Sequence, residues 1–363
     1  MILFVIILVF ISISTLVIIY NFFTAPIVKD SATSIDATKL ISVLIPARNE
    51  EKNIATCLNF ILAQDYEHLE VLVLDDQSTD QTKVITKSFL KNHSNVFYIE
   101  GEPLPQNWKG KNWACHQLSK KANGKYLLFI DADVELAKSA ISSAIKIMSA
   151  TKSKILSVFP TQRIKSLGEW LIVPLMNWVL LSFLPLKKVY DSKNISFIAA
   201  NGQFMLWDSD TYSAVDGHKQ VANAVVEDME LARKAKAINK IMTLLGGDII
   251  YCRMYAGFVD AFKGFSKNFF PGFNLNPFIF VGFVLLLFLV FGVSSLLAIV
   301  NSDYLIIIML IVLGRILTSQ ISHQNLFLNV ILHLAQMMFM LIIGLNSVLS
   351  TKFRFVTWKD RKL

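Results

Sequence analysis

The chain has little cysteine and spreads it widely: Cys57, Cys115 and Cys252 are an odd number with neither close pairing nor zinc-type spacing. That argues against a disulfide or structural-zinc framework and fits a reducing compartment. Neither G-x-G-x-x-G nor G-x-x-x-x-G-K-[ST] occurs, so the usual glycine-rich cradles for dinucleotides and nucleoside triphosphates are absent. Charge is missing altogether from Met1 to Phe23, a stretch long enough to cross a bilayer, where roughly 20 apolar residues suffice. The same stretch lacks the basic start, short apolar core and small-residue cleavage site of a secretory signal, and it is expected to be an uncleaved N-terminal transmembrane anchor over residues 1–23. A concentrated basic patch is also lacking. The net charge of +8 is dispersed except at the end, where Lys352, Arg354, Lys359, Arg361 and Lys362 follow the last apolar run. A membrane-surface role is expected of this 351–363 tail, and nucleic acid is not an expected partner.

What the chain does have is apolar residues, 54% of the total with 27 Phe, concentrated at its two ends. After the first run, candidate spans lie at Phe278–Val300, Tyr304–Thr318 and Leu326–Ser350 within a C-terminal transmembrane region over 278–350. The second is short and contains Arg315, so snorkelling or re-entry is expected there. If the tail and the middle of the chain both face the cytosol, the spans between them are even in number, and one of the three does not cross. Residues 38–270 mix charges with short apolar runs as one water-soluble domain. Inside it, residues 169–188 are strongly apolar, carry Trp170 and Trp178 and contain Pro174 and Pro185. They are expected to lie as a helix in the membrane interface, with a buried core helix as the alternative.

The middle alternates strand and helix. Leu40–Ile45 and Glu70–Leu74 read as strands, with a helix over Glu50–Ala63 capped by Asn49 between them. A helix after Thr79-Asp80, a strand at Val96–Ile99, a helix around Trp113–Lys121 and a strand over Leu127–Ile130 follow. Such βαβ units imply an α/β fold with a mostly parallel sheet. The apolar run Leu127–Ile130 stops abruptly at Asp131-Ala132-Asp133. The carboxyl ends of buried parallel strands are where ligands bind. Alternate residues of an extended chain point the same way, so Asp131 and Asp133 can face one ligand, and two close carboxylates repel unless a cation lies between them. A divalent metal is the simplest resolution. At the end of the preceding strand, Asp76 can accept from a pyrimidine or ribose, while Asp80 reads as a turn or helix cap.

Four ordered motifs, "VLIPARNEE", "EVLVLDDQSTDQT", "KYLLFIDADVEL" and "VEDMELARKA", resemble family 2 glycosyltransferases. "WKGKNWACHQL", "AANGQFMLW", "AVDGHKQV" and "YCRMYAGF", with the closing "VTWKDRKL" and the terminal spans, extend the likeness towards the membrane-anchored bacterial branch that acts on carotenoids and hopanoids. The resemblance implies a GT-A, Rossmann-like catalytic domain, a UDP-sugar donor carrying glucose, and a divalent metal, Mn or Mg. It places Pro46, Ala47, Arg48 and Glu50 around the uridine, Asp76 on the uracil, and Asp131 and Asp133 at ribose, metal and diphosphate. Lys111 is implied beside the nucleotide, Arg253 at the donor, and Asp228 as the catalytic base. It further implies a lipid acceptor and a multi-pass protein of the cell membrane whose catalytic domain is cytoplasmic. One departure is clear. The Q-x-x-R-W of processive members is missing, and Cys252-Arg253-Met254-Tyr255 stands in the comparable region, so a single transfer is expected in place of polymer synthesis. An acid at Glu227-Asp228 favours a hydroxyl acceptor, which needs a base, over a carboxylate, which does not. His218, Trp108 and Trp113 fit either a functional or a packing role.

Overall fold

The sheet that organises the catalytic region is built around central strands with no exposed face. In the computed structural model, which describes residues 1–30, 38–238 and 240–353 together with the backbone of 357–358 and 361–362, the first strand β1 (Ile41–Ala47) has Ile41, Val43, Leu44 and Ile45 fully buried. Both faces of such a strand are covered, which is why its sequence is continuously apolar instead of alternating. Around it lie β2 (Leu69–Asp75), β3 (Val96–Glu100), β4 (Tyr126–Ile130), β5 (Val134–Leu136), β6 (Ile155–Phe159), β7 (Thr161–Gln162), β8 (Phe204–Asp208), β9 (Ile241–Leu245) and β10 (Ile250–Cys252). The main sheet runs β3-β2-β1-β4-β8-β6-β9, and β8 alone is antiparallel to its neighbours. A small second sheet, β5-β10-β7, hangs from the β4 end.

The expected strands are present, with β1 and β2 each running past the forecast ends. The first helix differs. It spans Ile54–Leu62 with Asn53 at its cap, and Asn49 does not cap it. The reason is that Asn49 takes φ 52° and its carboxamide oxygen accepts the Thr79 N–H at 2.9 Å, which ties the β1 loop to the β2 loop. Asp80 closes the second loop, accepting from the N–H groups of Glu51 and Thr82.

Among the described residues, four helices are long and apolar enough to cross a membrane: Ile2–Thr24, Pro277–Val300, Ser302–Ile321 and His333–Lys352. The middle C-terminal segment is therefore not short, because its helix extends to 20 residues. Nor does Arg315 snorkel. It is 2% exposed, its Nε donates to His333 Nδ1 at 3.0 Å, its Nη1 donates to Gln336 Oε1 at 2.8 Å, and the guanidinium lies 4.7 Å from the Trp178 ring centroid. The last expected span is broken, with a short helix Leu326–Ile331 ahead of the long one. Within the basic tail, residues 354–356, 359–360 and 363 lie outside the described residues, as do the side chains of Arg361 and Lys362.

The apolar stretch at 169–188 is two helices. Ser166 caps Leu167–Trp170 by accepting the Glu169 N–H, and Pro174 occupies the first turn of Pro174–Phe183, where its missing N–H costs nothing. One face of the second helix is held against the N-terminal helix. The Asn21 carboxamide donates to the Leu181 and Leu184 carbonyls and accepts from the Leu186 N–H, at 2.8 to 2.9 Å. The helix Pro174–Phe183 and the apolar N-terminal helix are thus joined by apolar packing and by hydrogen bonds.

Candidate active site

The carboxyl ends of β1 and β4 open into one cavity of about 1340 Å³ whose lining also includes Met340 and Ile343 of the apolar helix His333–Lys352. It gathers Pro46, Glu50, Lys111, Asp131, Asp133 and Arg253, with Asp228 beside them. Ala47, Arg48 and Asp76 are not in its lining. Ala47 is buried, and its carbonyl accepts the Asp76 N–H at 2.8 Å. The Arg48 guanidinium donates to the carbonyls of Asp76 (2.5 Å) and Gln77 (3.1 Å), so it clasps the two strand-end loops together. Asp76 itself is 1% exposed.

Asp131 and Asp133 follow β4 directly. The Lys111 ammonium, from the helix Gly110–Lys121, sits 2.8 Å from Asp131 Oδ1 and 3.3 Å from Glu227 Oε1. Burial would lower its pKa, but the two carboxylates outweigh burial and hold it well above the usual lysine range. Among the described residues no cation forms an ion pair with Asp133, and Lys111 offsets its charge only weakly. Asp133 Oδ1 is buried without a hydrogen-bond partner, and burial, with Asp131 and then Glu50 adding repulsion, pushes the carboxyl up to about 7. A group this poorly compensated is suited to a divalent cation. Hard carboxylate oxygens are the donors Mg²⁺ and Mn²⁺ prefer. Among the described residues no group of three or more His, Cys, Asp or Glu could hold a metal by itself. The remaining ligands would have to come from phosphate oxygens and water, as is usual for Mg²⁺ at nucleotide sites.

Glu227 and Asp228 open the helix Glu227–Lys236, where the positive end of the helix dipole meets them. Burial acts on Glu227 to raise its pKa, but Lys111 prevails and keeps it below the usual range. Asp228 goes the other way. Burial, reinforced by the neighbouring Glu227 charge, raises it to about 7, although its oxygens accept the N–H groups of Gly202 and Met229 at 2.7 Å. A carboxylate with a pKa near neutrality is placed to take up a proton at physiological pH.

Several contributors escaped sequence reasoning. Gly202 lies so close that a Cβ there would stand 3.3 Å from Lys111 Nζ and 3.4 Å from Asp228 Cβ. Its quoted motif "AANGQFMLW" was the available signal. Glu169, 1% exposed, accepts from Arg253 Nη2, the Gly257 N–H and the Lys165 N–H at 2.8 to 2.9 Å, and so fixes Arg253 in the cavity wall. Lys267, on the helix Phe258–Phe273, also lines the cavity, where burial lowers it to about 8. His218 is buried and paired through Nδ1 with the Tyr212 hydroxyl at 2.6 Å, and burial lowers it to about 3. Trp108 and Trp113 pack edge to face on each other, outside the cavity lining.

Residues 42–211 match the family described as Glycosyl transferase family 2. The matched stretch, a little under half of the chain, is similar to a family 2 glycosyltransferase domain. Two relatives, both called 4,4'-diaponeurosporenoate glycosyltransferase, are 29% identical over 238 residues (Staphylococcus haemolyticus) and 28% identical over 255 residues (Staphylococcus aureus). The alignments take in 64% and 69% of this chain, and the chain spans 62% and 66% of those relatives' own lengths. A mannosyltransferase from Pyrobaculum calidifontis, solved with GDP-mannose and Mn²⁺, superimposes with a TM-score of 0.52 at 17% identity, over 73% of this chain and 74% of its own. That likeness shows the fold, and the matched domain is of the GT-A type.

Proposed function

We propose that the protein is a membrane-bound inverting glycosyltransferase that moves a single sugar, glucose, from a UDP-sugar to a carotenoid or other isoprenoid-derived lipid, with its catalytic domain on the cytoplasmic side of a multi-pass anchor. The observation that carries this reading is the joining, in one cavity, of a poorly compensated acid pair at the strand ends with side chains of the membrane helices. The names of the two staphylococcal relatives support an apolar acceptor of the carotenoid class. The Pyrobaculum structure, which holds a nucleotide sugar and Mn²⁺, supports a metal-assisted donor site.

In this reading Asp131 and Asp133 hold the metal, which supplies positive charge where the diphosphate gains negative charge. Lys111, held by Asp131 and Glu227, adds a second positive charge at the same place. The acceptor hydroxyl attacks the anomeric carbon from the face opposite the nucleotide, and the carbon–phosphate oxygen bond breaks with its electron pair leaving on the diphosphate. The hydroxyl proton passes to the Asp228 carboxylate, which Gly202 N–H and Met229 N–H hold in place. Glu227 stays ionised and keeps the affinity of Asp228 for that proton high.

Labelled UDP-glucose supplied to membranes containing the protein, with carotenoid or total lipid added, tests this. Label is expected in the apolar lipid fraction, and is not expected there with the Asp131→Ala/Asp133→Ala variant. Absence of label from every lipid fraction with any UDP-hexose would refute the proposal.

A further inference from the structure

The cavity has two limbs of different chemistry. Its lining holds the acids and Lys267 and also apolar residues of the helices Pro174–Phe183 and Phe258–Phe273, with Met340 and Ile343 of the helix His333–Lys352, and this apolar part is the slot. Met176, Val179 and Leu180 line one wall and Phe269 and Phe273 the other. The first wall belongs to a helix whose opposite face is buried, Trp178 among other helices and Leu181 in the core that includes the sheet. Its cavity face nevertheless stays apolar, and water gains nothing from solvating such a surface. On the second wall, Gly272 also lines the cavity, and a Cβ built on it would meet nothing within 4 Å. The space beside Gly272 is therefore open, at a position where alanine would be the better helix former.

We propose that this slot is the binding site for the hydrocarbon chain of the acceptor, an isoprenoid chain lying between the two helices with its polar end at Asp228 and Lys267. The assignment rests on the glycosyltransferase reading for the nature of the polar end. The slot itself follows from its own geometry. Continuity with the acid cluster decides the occupant: a chain filling the slot has one end at the candidate base and the other against membrane helices, whereas a water-soluble sugar acceptor would leave the apolar walls without a partner.

All-trans-retinol, a fluorescent isoprenoid alcohol, serves as the probe, with the full chain in detergent micelles and energy transfer from tryptophan as the signal. Saturable binding near one per chain is expected. Gly272→Phe, which places a ring in open space, should weaken it roughly tenfold or more while leaving UDP affinity and thermal stability at wild-type values. Gly272→Ala, too small to fill the slot, should bind retinol almost as the wild type does. Non-saturable retinol uptake, or equal binding by Gly272→Phe and wild type, would overturn the assignment, as would a parallel loss of UDP affinity. Retinol bound in the slot with no sugar transferred from any donor would instead sink the glycosyltransferase reading and leave the slot standing.

Discussion

Among the described residues, two of the buried polar clusters differ in a way that separates chemistry from scaffolding. Between the membrane helices, the Arg315 guanidinium meets a ring nitrogen, a carboxamide and an aromatic face, and the same His333 and Gln336 bond onward to the Phe291 and Trp170 carbonyls. Every donor there except Arg315 Nη2 is used, and Arg315 does not line the strand-end cavity. At the strand ends an unpaired buried atom stands instead beside open space. Asp133 keeps a buried oxygen without a partner, Asp133 and Asp228 both hold protons up to about 7, and the whole cluster opens on a cavity. A charge in an apolar setting is thus no sufficient sign of function. Incomplete compensation beside an open space is the better one.

The largest effect is expected from Asp131→Ala/Asp133→Ala, which should lower sugar transfer by about 10³-fold or more in a lipid-extraction assay, since it removes the whole cation site. Asp228→Asn should reduce turnover by about 10²-fold or more. Its pH profile gives a sharper signature. The Asp228 pKa is raised, the ionised form is the one that accepts a proton, and so wild-type turnover at saturating metal should fall as pH drops through about 7. That limb should vanish in Asp228→Asn. The membrane cluster should respond in stability only. Arg315→Met leaves two acceptors without a donor and should cost about 1–3 kcal/mol of unfolding free energy in detergent, while the folded fraction keeps its turnover. Asp133→Asn should do the opposite in metal-free protein. Because the folded pKa of Asp133 lies above the unfolded one, its favourable contribution is complete below about 4 and is lost as pH rises to about 7. At pH 7.5 with chelator the variant should therefore unfold at a higher temperature than wild type. Smallest is Gly202→Ala, where Lys111 must yield by a few tenths of an ångström, with a few-fold loss of turnover expected.

Much of the strand-end site was legible because its signals are local. The run Leu127–Ile130 followed by Asp131 and Asp133 announces a doubly buried strand with two acids at its ligand end, and the ordered motifs give the fold. Contacts between distant residues were not legible. Glu169 bounds an apolar run in sequence, and only folding brings it to Arg253, 84 positions away. Arg315 looked like a residue reaching for the membrane surface because its partners His333 and Gln336 sit on another helix. Asn49 carried a cap signal, yet its side chain was claimed by the neighbouring loop at Thr79. For the apolar stretch at 169–188, hydropathy could not tell a lipid-facing helix from one facing other helices, since both surroundings favour the same residues.

Manganese binding by the purified full-length chain, read by electron paramagnetic resonance with UDP present, is the most direct measurement. One ion per chain is predicted, lost when Asp131 and Asp133 are both changed to Asn. Undiminished Mn²⁺ binding by that variant, or sugar transfer by the wild type at full rate in excess chelator, would contradict the account.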